Sequence, residues 1–316
     1  MLGSIVLGLL IVIAALIVAL LLWSRALTRR AERLVPADGT FLDVPGARLH
    51  YVDRGEGPAI VMVHGLGGQI RNFSYALSDD LARDFRVIIV DRPGWGYSHV
   101  TEPGQPSLPE QAEMVAALIR ALKLDRPLLV GHSMGGALSL LLAQAHPELV
   151  RGLALSAPLT QPIDTLPEPF TALKIESPVV RGIVAALLAA PMGSMRSATN
   201  AAAAFAPDPA PADFGIRGGG LLSTRPASFR AGSAEVSVAP GTLAAMVENY
   251  PSLRVPVAIM FGRQDRLLDA TLHGERTAAM IPGATIDLID GGHMLPVVWA
   301  KESAAWIRAT AARFPA

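Results

Sequence analysis

Six short, largely apolar runs, each followed by a turn signal, constrain the fold of this 316-residue chain more than any other feature. The runs are Ala59–Val63, Val87–Val90, Leu128–Val130, Leu153–Leu155, Val257–Phe261 and Thr285–Ile289. Continuous apolar runs of this length are typical of strands that are covered on both faces. Helical stretches are predicted over Asn72–Arg83, Pro109–Leu122, Met134–His146, Leu268–Ile281 and Pro296–Phe314. Strands that alternate with helices predict an α/β fold with a parallel sheet and right-handed crossovers.

Two segments lie outside this alternation. Before the first run, Phe41–Asp43 and Leu49–Val52 predict a hairpin around Pro45-Gly46. Residues 160–251, rich in Ala, Pro and Gly, separate two predicted strands. A structureless loop of this length is uncommon inside a compact domain, so we expect a helical insertion there. Its predicted helices are Pro178–Met195 and Thr242–Tyr250, and its many apolar side chains disfavour the alternative of a disordered linker.

The amino-terminal end carries an apolar run from Leu2 to Trp23 without a charged side chain. As a helix this run is about 33 Å long, enough to cross the hydrocarbon core of a bilayer. We therefore expect a single-pass membrane anchor in residues 1–24, with residues 2–23 in the bilayer. A basic juxtamembrane linker follows in residues 25–39, with Arg25, Arg29, Arg30 and Arg33. The positive-inside rule then places the rest of the chain on the cytoplasmic side.

A cleaved signal peptide and a buried core helix are the alternatives for this run. The run is longer than a signal-peptide core, no Lys or Arg precedes it, and no clear small-residue cleavage site ends it. The run also accounts for much of the high mean hydropathy of +0.39. Without it, the hydrophobic content falls within the range of ordinary globular proteins.

Charge and cysteine content exclude several classes of function. The 27 basic and 27 acidic side chains balance, which argues against a nucleic-acid partner. The absence of cysteine excludes a thiol nucleophile, a zinc site with Cys ligands and an iron–sulfur cluster.

The sharpest chemical signal is the sequence GHSMGG, from Gly131 to Gly136, which follows a predicted strand and opens a predicted helix. In that context the pattern G-x-S-x-G predicts a nucleophile elbow that presents Ser133 above the sheet edge. The turn is tight, and Gly131 and Gly135 supply the room that it needs. A serine in an ordinary glycine-rich turn is the alternative interpretation.

A serine hydroxyl becomes a nucleophile only when a base accepts its proton. Asp265 and His293 follow Ser133 in the chain order acid, then histidine, and each lies just beyond a predicted strand. We predict His293 as the general base and Asp265 as the group that orients it. Asp269 is the alternative acid, but it falls inside a predicted helix.

Two backbone N–H groups are the predicted oxyanion donors. Met134 directly follows the serine, and Leu66 lies in the glycine-rich loop HGLGG after the first parallel strand. His64 opens that loop and could be mistaken for a base. Its place before the glycine turn favours an orienting or structural role.

Five segments together resemble the α/β-hydrolase superfamily. They are Val63–Gly68 (VHGLGG), Asp91–Ser98 (DRPGWGYS), Gly131–Gly136 (GHSMGG), Gly262–Asp265 (GRQD) and Gly291–His293 (GGH). The resemblance implies a mostly parallel eight-stranded sheet flanked by helices, built from residues 40–159 and 252–316. It also implies that residues 160–251 are a helical cap, and that neither a metal nor an organic cofactor is needed.

The superfamily contains several chemistries. An aspartate at position 133 would imply a dehalogenase or epoxide hydrolase, whereas Ser133 favours acyl transfer to serine. We therefore expect a membrane-anchored serine esterase whose apolar cap receives a small-molecule acyl ester. A C–C bond hydrolase, a lactonase and a perhydrolase or acyltransferase remain alternatives on the same three residues. A non-catalytic, membrane-tethered binding protein is the alternative from another class.

Overall fold

The computed structural model describes residues 2–314. Its strands are β1 (Thr40–Val44), β2 (Ala47–Arg54), β3 (Ala59–Val63), β4 (Arg86–Val90), β5 (His99–Val100), β6 (Leu128–His132), β7 (Gly152–Ser156), β8 (Val257–Gly262) and β9 (Thr285–Ile289). Its helices are α1 (Leu2–Leu34), α2 (Arg71–Ser74), α3 (Ser78–Leu81), α4 (Leu108–Ala121), α5 (Met134–Ala145), α6 (Pro178–Val184), α7 (Ala190–Phe205), α8 (Pro226–Glu248), α9 (Arg276–Met280), α10 (Leu295–Val298) and α11 (Ala300–Arg313).

One sheet organises the core, with strand order β1-β2-β4-β3-β6-β7-β8-β9. The pairs from β4 through β3 to β9 are parallel, while β1–β2 and β2–β4 are antiparallel. These eight strands match the expected mostly parallel sheet. Over residues 2–314 a ninth, two-residue strand, β5, also pairs with β2.

The strand order reverses at β3, which lies between β4 and β6. In open α/β sheets, ligands bind beyond the carboxyl ends of the strands at such a switch point. The loop after β3 carries the HGLGG sequence and the turn after β6 carries Ser133. The topology therefore brings these two sequence-distant loops side by side.

Helices cover both faces of the sheet. Val61 and Val63 of β3 pack in a core that includes Leu118 of α4 and Leu138 of α5. Ile60 and Met62 of the same strand pack in a second core that includes Ile307 of α11. Because alternate side chains of a strand point to opposite faces, burial on both sides explains the uninterrupted apolar runs.

Several predicted helices have different bounds in the structure. The predicted helix Asn72–Arg83 was wrong, because two short helices, α2 and α3, occupy that stretch. Its apolar side chains Phe73, Leu77 and Leu81 recur every four residues and are all buried, so two separate turns satisfy the same periodicity. The predicted Leu268–Ile281 helix begins later, as a π-helical segment from Thr271 to Glu275 followed by α9. The last predicted helix is divided into α10 and α11.

Residues 160–251 form a helical layer over the carboxyl edge of the sheet. Helix α6, a π-helical segment at Ala185–Ala189 and α7 run on from one another, ten residues beyond the predicted end at Met195. The predicted helix Thr242–Tyr250 is only the end of α8, which continues through Pro240. Short 3₁₀ turns lie at Glu168–Leu173 and Gly220–Thr224.

Helix α1 extends past residue 24 to Leu34 and is long and apolar enough to cross a membrane. Its apolar side chains from Leu2 to Val18 are largely exposed, whereas Ser24 and Ala31 are buried. The carboxyl-terminal part of α1, which contains Ser24 and Ala31, packs against α7, the π-helical segment and the 3₁₀ turn at Gly220–Thr224. An ion pair between Glu32 and Arg225, 3.2 Å apart, adds to that contact.

Candidate active site

Ser133 occupies the tight turn between β6 and α5, as the sequence predicts. Its backbone has φ 54° and ψ −122°, a conformation that residues with side chains rarely adopt. Strain of this kind persists only where the surrounding structure holds it. Here the Ser133 N–H donates to the Ser156 carbonyl (3.2 Å), and its own carbonyl accepts from Leu159 N–H (2.9 Å).

The glycines on either side of Ser133 are sterically required. A Cβ on Gly131 would lie 2.6 Å from the Gly135 carbonyl oxygen, and a Cβ on Gly135 would overlap the Val63 carbonyl oxygen. The elbow therefore packs directly against the end of β3. This close approach places Ser133 beside the HGLGG loop.

His293 and Asp265 meet as the sequence predicts. Nδ1 of His293 lies 2.7 Å from Oδ2 of Asp265, and both side chains are almost completely buried. The other carboxylate oxygen of Asp265 accepts from Leu267 N–H (2.8 Å) and Leu268 N–H (3.0 Å). Burial alone would raise the pKa of Asp265, but His293 and these two N–H donors outweigh it and hold that pKa below its usual range.

The alternative acid, Asp269, lies at the start of a helical segment and not against His293. Its Oδ1 accepts from Leu272 N–H at 2.8 Å, at the start of the π-helical segment. A carboxylate that stabilises a helix start is a structural feature. The geometry therefore favours Asp265 over Asp269 as the partner of His293.

Ser133 and His293 line the same two cavities. Within residues 2–314, no hydrogen bond joins their side chains in this structure. Hydrogen bonds between a nucleophile and its base often tighten only when substrate is bound. The two groups are therefore placed at one site, with the Asp265–His293 pair already formed.

The HGLGG loop is held in one orientation by donors to the Gly65 carbonyl. That oxygen accepts from His64 Nδ1–H (2.8 Å), Gly68 N–H (3.2 Å) and Arg92 Nη2 (3.3 Å). The Gly65 carbonyl and the Leu66 N–H belong to the same planar trans peptide, so fixing one fixes the direction of the other. This arrangement fixes the direction of the Leu66 N–H, while the use of Leu66 and Met134 as oxyanion donors stays a prediction.

His64 is fully buried and serves this loop. Its Nε2 accepts from Arg92 N–H at 3.0 Å while Nδ1 donates to the Gly65 carbonyl. Burial and the nearby Arg92 cation lower the pKa of His64 to about 3, so the ring is neutral at physiological pH. The structure thus agrees with an orienting role and leaves His293 as the candidate base.

Two contacts at the His293 loop were not predicted. His132 Nε2 donates to the His293 carbonyl (3.0 Å), and burial lowers the pKa of His132 to about 3. Asp208, from the cap, accepts from Gly292 N–H (2.8 Å) and Trp299 Nε1 (3.2 Å). His132 could have been suspected because it adjoins the serine. Asp208 carries no local signal, since its role depends on the folded position of the cap.

Two largely apolar cavities meet at Ser133, with volumes of about 470 and 780 Å³. Leu66, Phe170, Leu267 and His293 border both. The smaller cavity extends towards Ile163 and Leu243, and the larger one runs beneath α7. Among residues 2–314, no cluster of three His, Cys, Asp or Glu side chains is placed to hold a metal ion.

The sequence model of one protein family, described as the alpha/beta hydrolase fold, matches residues 58–298 of this chain. The dihydrolipoyllysine-residue acetyltransferase component of the acetoin cleaving system of Cupriavidus necator is 36% identical over 120 residues. That match covers 38% of this chain and 32% of the relative, and matches to other curated relatives cover 21–49% of their lengths. This chain thus aligns with less than half of the length of these relatives.

Solved structures match over more of the chain. An esterase from Thermogutta terrifontis has a TM-score of 0.69 and 23% identity, covering 87% of this chain and 97% of its own. A bacterial membrane phospholipase A has a TM-score of 0.63 and 21% identity, and the match covers 98% of this chain and 96% of the phospholipase chain. At these identities the likeness shows the fold. Together with the family match, it shows that this chain belongs to the alpha/beta hydrolase fold family.

Proposed function

We propose that this protein is a membrane-anchored serine hydrolase that cleaves carboxylic esters through an acyl-enzyme intermediate. The observation that carries the proposal is the 2.7 Å contact between His293 Nδ1 and Asp265 at the cavities that expose Ser133. A non-catalytic binding protein would not need a serine in strained geometry beside an oriented histidine.

The reaction follows from these positions. Ser133 Oγ attacks the ester carbonyl carbon while His293 Nε2 accepts its proton, and the carbonyl oxygen becomes an oxyanion facing Leu66 N–H and Met134 N–H. As the tetrahedral intermediate collapses, His293 protonates the departing alcohol oxygen and the acyl group stays on Ser133. Water, deprotonated by His293, then releases the carboxylic acid. Asp265 stabilises the imidazolium in both halves of the reaction.

The two cavities favour an ester with two apolar parts, one on each side of the ester bond. Because both cavities end at Ser133, one can hold the acyl chain and the other the alcohol portion of the same ester. Their walls are mainly aliphatic and aromatic side chains, as in sites for apolar small molecules. No cofactor takes part in the proposed reaction.

We further propose that α1 anchors the enzyme in a bilayer, with the catalytic domain on the cytoplasmic side. Support comes from the exposed apolar surface of Leu2 to Val18 and from the arginines that follow it. The fold likeness to a membrane phospholipase A covers 98% of this chain, and so includes α1.

The test is hydrolysis of p-nitrophenyl esters of graded chain length by the purified full chain. The variant Ser133→Ala should lose turnover, while Ser252→Ala, an exposed serine on a 3₁₀ turn, should retain it. An undiminished rate in Ser133→Ala would refute the mechanism. Lactones, β-diketones and hydrogen peroxide as acyl acceptor, assayed in parallel, would identify the alternative chemistries.

A further inference from the structure

We propose that one face of the continuous helix from α6 to α7 lies in the membrane interface, and that the larger cavity opens through it. The face, termed here the apolar stripe, consists of Val179, Val180, Ile183, Leu188, Met192 and Met195. Through this opening an amphiphilic acyl ester would enter from the bilayer. The proposal rests on the proposed anchoring by α1.

The stripe is unusually exposed for apolar side chains. Val179 is 71% exposed, Ile183 54% and Met195 77%. Contiguous apolar patches at a protein surface mark contacts with membranes, proteins or ligands. The stripe therefore has an apolar partner outside the domain.

Few charges oppose insertion of this helix. Between residues 178 and 205 the chain has two charged side chains, both arginines. Arg181 turns inward, where Nε donates to Ser233 Oγ (2.9 Å) and Nη2 to the Ile175 carbonyl (2.8 Å). Arg196 is exposed and pairs with Glu168. Arg181 is thus directed into the domain, and Arg196, just beyond Met195, is paired, so within residues 178–205 the stripe carries no unpaired charge.

The position of the stripe next to α1 identifies the bilayer as that partner. The π-helical segment and α7 pack against α1, and Ser24, one residue beyond the bilayer-length run, is buried there. A surface that touches the end of a membrane span lies at the level of the headgroups. Arg25 and Arg29 are exposed at the same level, where anionic lipids attract cations.

The larger cavity connects this surface to the nucleophile. Leu188 and Met192 belong to the stripe and also line the cavity, whose inner end is bordered by Ser133 and His293. A chain-bearing ester could therefore pass from the interface to the reacting atoms without crossing water. This geometry favours substrates dissolved in the membrane over substrates free in solution.

Site-specific labelling can test the contact, because the protein has no cysteine. Single cysteines at Val179, Ile183 and Met195 would carry an environment-sensitive fluorophore in the full chain, reconstituted in vesicles that contain brominated lipids. Glu56→Cys, exposed at the opposite edge of the sheet, is the matched control. Leu10→Cys, within the proposed span, reports whether α1 inserts.

We expect bromolipid quenching at Leu10 and at the three stripe positions, with none at Glu56. Quenching at Leu10 alone would refute membrane contact by the stripe while leaving the anchor intact. Absence of quenching at Leu10 would refute the anchor and the stripe together. A blue shift at the stripe without bromolipid quenching would mean a protein partner, including a second copy, and would also overturn the proposal.

Activity gives a second readout. The double variant Val179→Ser, Ile183→Ser alters exposed side chains that do not line either cavity. It should hydrolyse a soluble p-nitrophenyl butyrate at the wild-type rate but a long-chain ester held in vesicles several-fold more slowly. Equal rates on the vesicle-held ester would contradict entry from the bilayer.

A separate observation, a fully buried ion pair, leads us to infer that the cap positions the oxyanion loop. Arg92, on the loop after β4, lies 3.0 Å from Glu235 on cap helix α8, and neither side chain is exposed. Glu235 also accepts from Trp95 Nε1 (2.8 Å) and Gln111 Nε2 (2.8 Å). An ionised pair is buried only when such partners compensate its lost hydration.

Arg92 links this network to the reacting atoms. Its Nη2 donates to the Gly65 carbonyl and lies 3.9 Å from Met134 Sδ. Because the Gly65 carbonyl shares a peptide with the Leu66 N–H, Glu235 holds the oxyanion donor through Arg92. Arg92 and Glu235 are thus positioning residues. The Leu66 donor is aligned only when α8 of the cap packs on the core and Glu235 contacts Arg92.

Variants at both positions separate positioning from folding. Glu235→Leu leaves an unpaired buried cation and should lower both melting temperature and kcat. The double variant Arg92→Leu, Glu235→Leu removes both charges and should regain much of the melting temperature. Its kcat on p-nitrophenyl butyrate should stay at least about tenfold below wild type, with KM little changed. Recovery of kcat together with stability would show that the pair is only structural.

Discussion

His293 and Asp265 lie on different loops, 28 residues apart in the chain, yet Nδ1 of the histidine is 2.7 Å from a carboxylate oxygen of the aspartate. Both loops follow neighbouring parallel strands, β8 and β9, which pair directly. The carboxyl ends of adjacent parallel strands share one edge, so the sheet itself brings the two groups together.

Asp265→Asn should lower kcat for ester hydrolysis by about 10³–10⁴-fold, because an amide cannot hold the required tautomer or stabilise the imidazolium. Asp269→Asn is the matched control, since Asp269 bonds Leu272 N–H instead. Steady-state kinetics of both variants measure the difference. Equal losses in the two variants would contradict the assignment of Asp265.

Gly135→Ala should destabilise the fold by about 2–3 kcal/mol, because a Cβ there would overlap the Val63 carbonyl oxygen at the end of β3. Gly182→Ala, on helix α6, has open space around its Cβ and should be neutral or slightly stabilising. Denaturant midpoints of the two variants provide the measurement. A tolerated Gly135→Ala would mean that the elbow does not pack as described.

The neutral, buried His132 should make stability depend on pH. Its folded pKa of about 3 lies below the unfolded value of 6.5, so between these values the unfolded chain binds a proton that the native protein does not. Stability therefore falls as the pH drops from about 6.5 towards 3, by about 1.4 kcal/mol per pH unit for this group. His132→Gln keeps a donor for the His293 carbonyl and should flatten the slope by that amount. An unchanged slope in unfolding titrations would show that His132 is not the source.

We predict that the larger of the two cavities holds the acyl chain, so filling it should shorten the preferred acyl chain. Ala201 lines that cavity, whereas Ala203, on the same helix α7, does not. Ala201→Phe should lower kcat/KM for a dodecanoyl ester by about tenfold or more relative to a butyryl ester. Ala203→Phe should leave the ratio of the two near its wild-type value, and a changed ratio there would argue against this cavity as the acyl site.

The sequence allowed prediction of features that depend on local pattern. The eight main strands, the elbow and the positions of Asp265 and His293 follow from apolar runs and the turns that end them. Helix bounds were less predictable, because one helix and two short helices can satisfy the same periodicity of buried side chains, as at Phe73, Leu77 and Leu81. Those three side chains are buried by two short helices rather than one.

Contacts between the cap and the core could not be predicted. Asp208 bonds Gly292 across 84 residues of chain, and Glu235 meets Arg92 across 143. Such pairs depend on the position at which the inserted residues 160–251 pack on the core. No spacing of residues within the sequence encodes this position. Both pairs connect residues 160–251 to loops of the candidate active site, so the least predictable contacts lie next to that site.

The central claim is that Ser133 forms an acyl-enzyme with the help of His293. Intact-protein and peptide mass spectrometry after rapid mixing with p-nitrophenyl butyrate and acid quench tests it directly. We predict a butyryl adduct on the peptide that contains Ser133, formed in step with the release of p-nitrophenol and absent from Ser133→Ala and His293→Ala. A butyryl adduct on another residue, or an undiminished hydrolysis rate in Ser133→Ala, would contradict the mechanism.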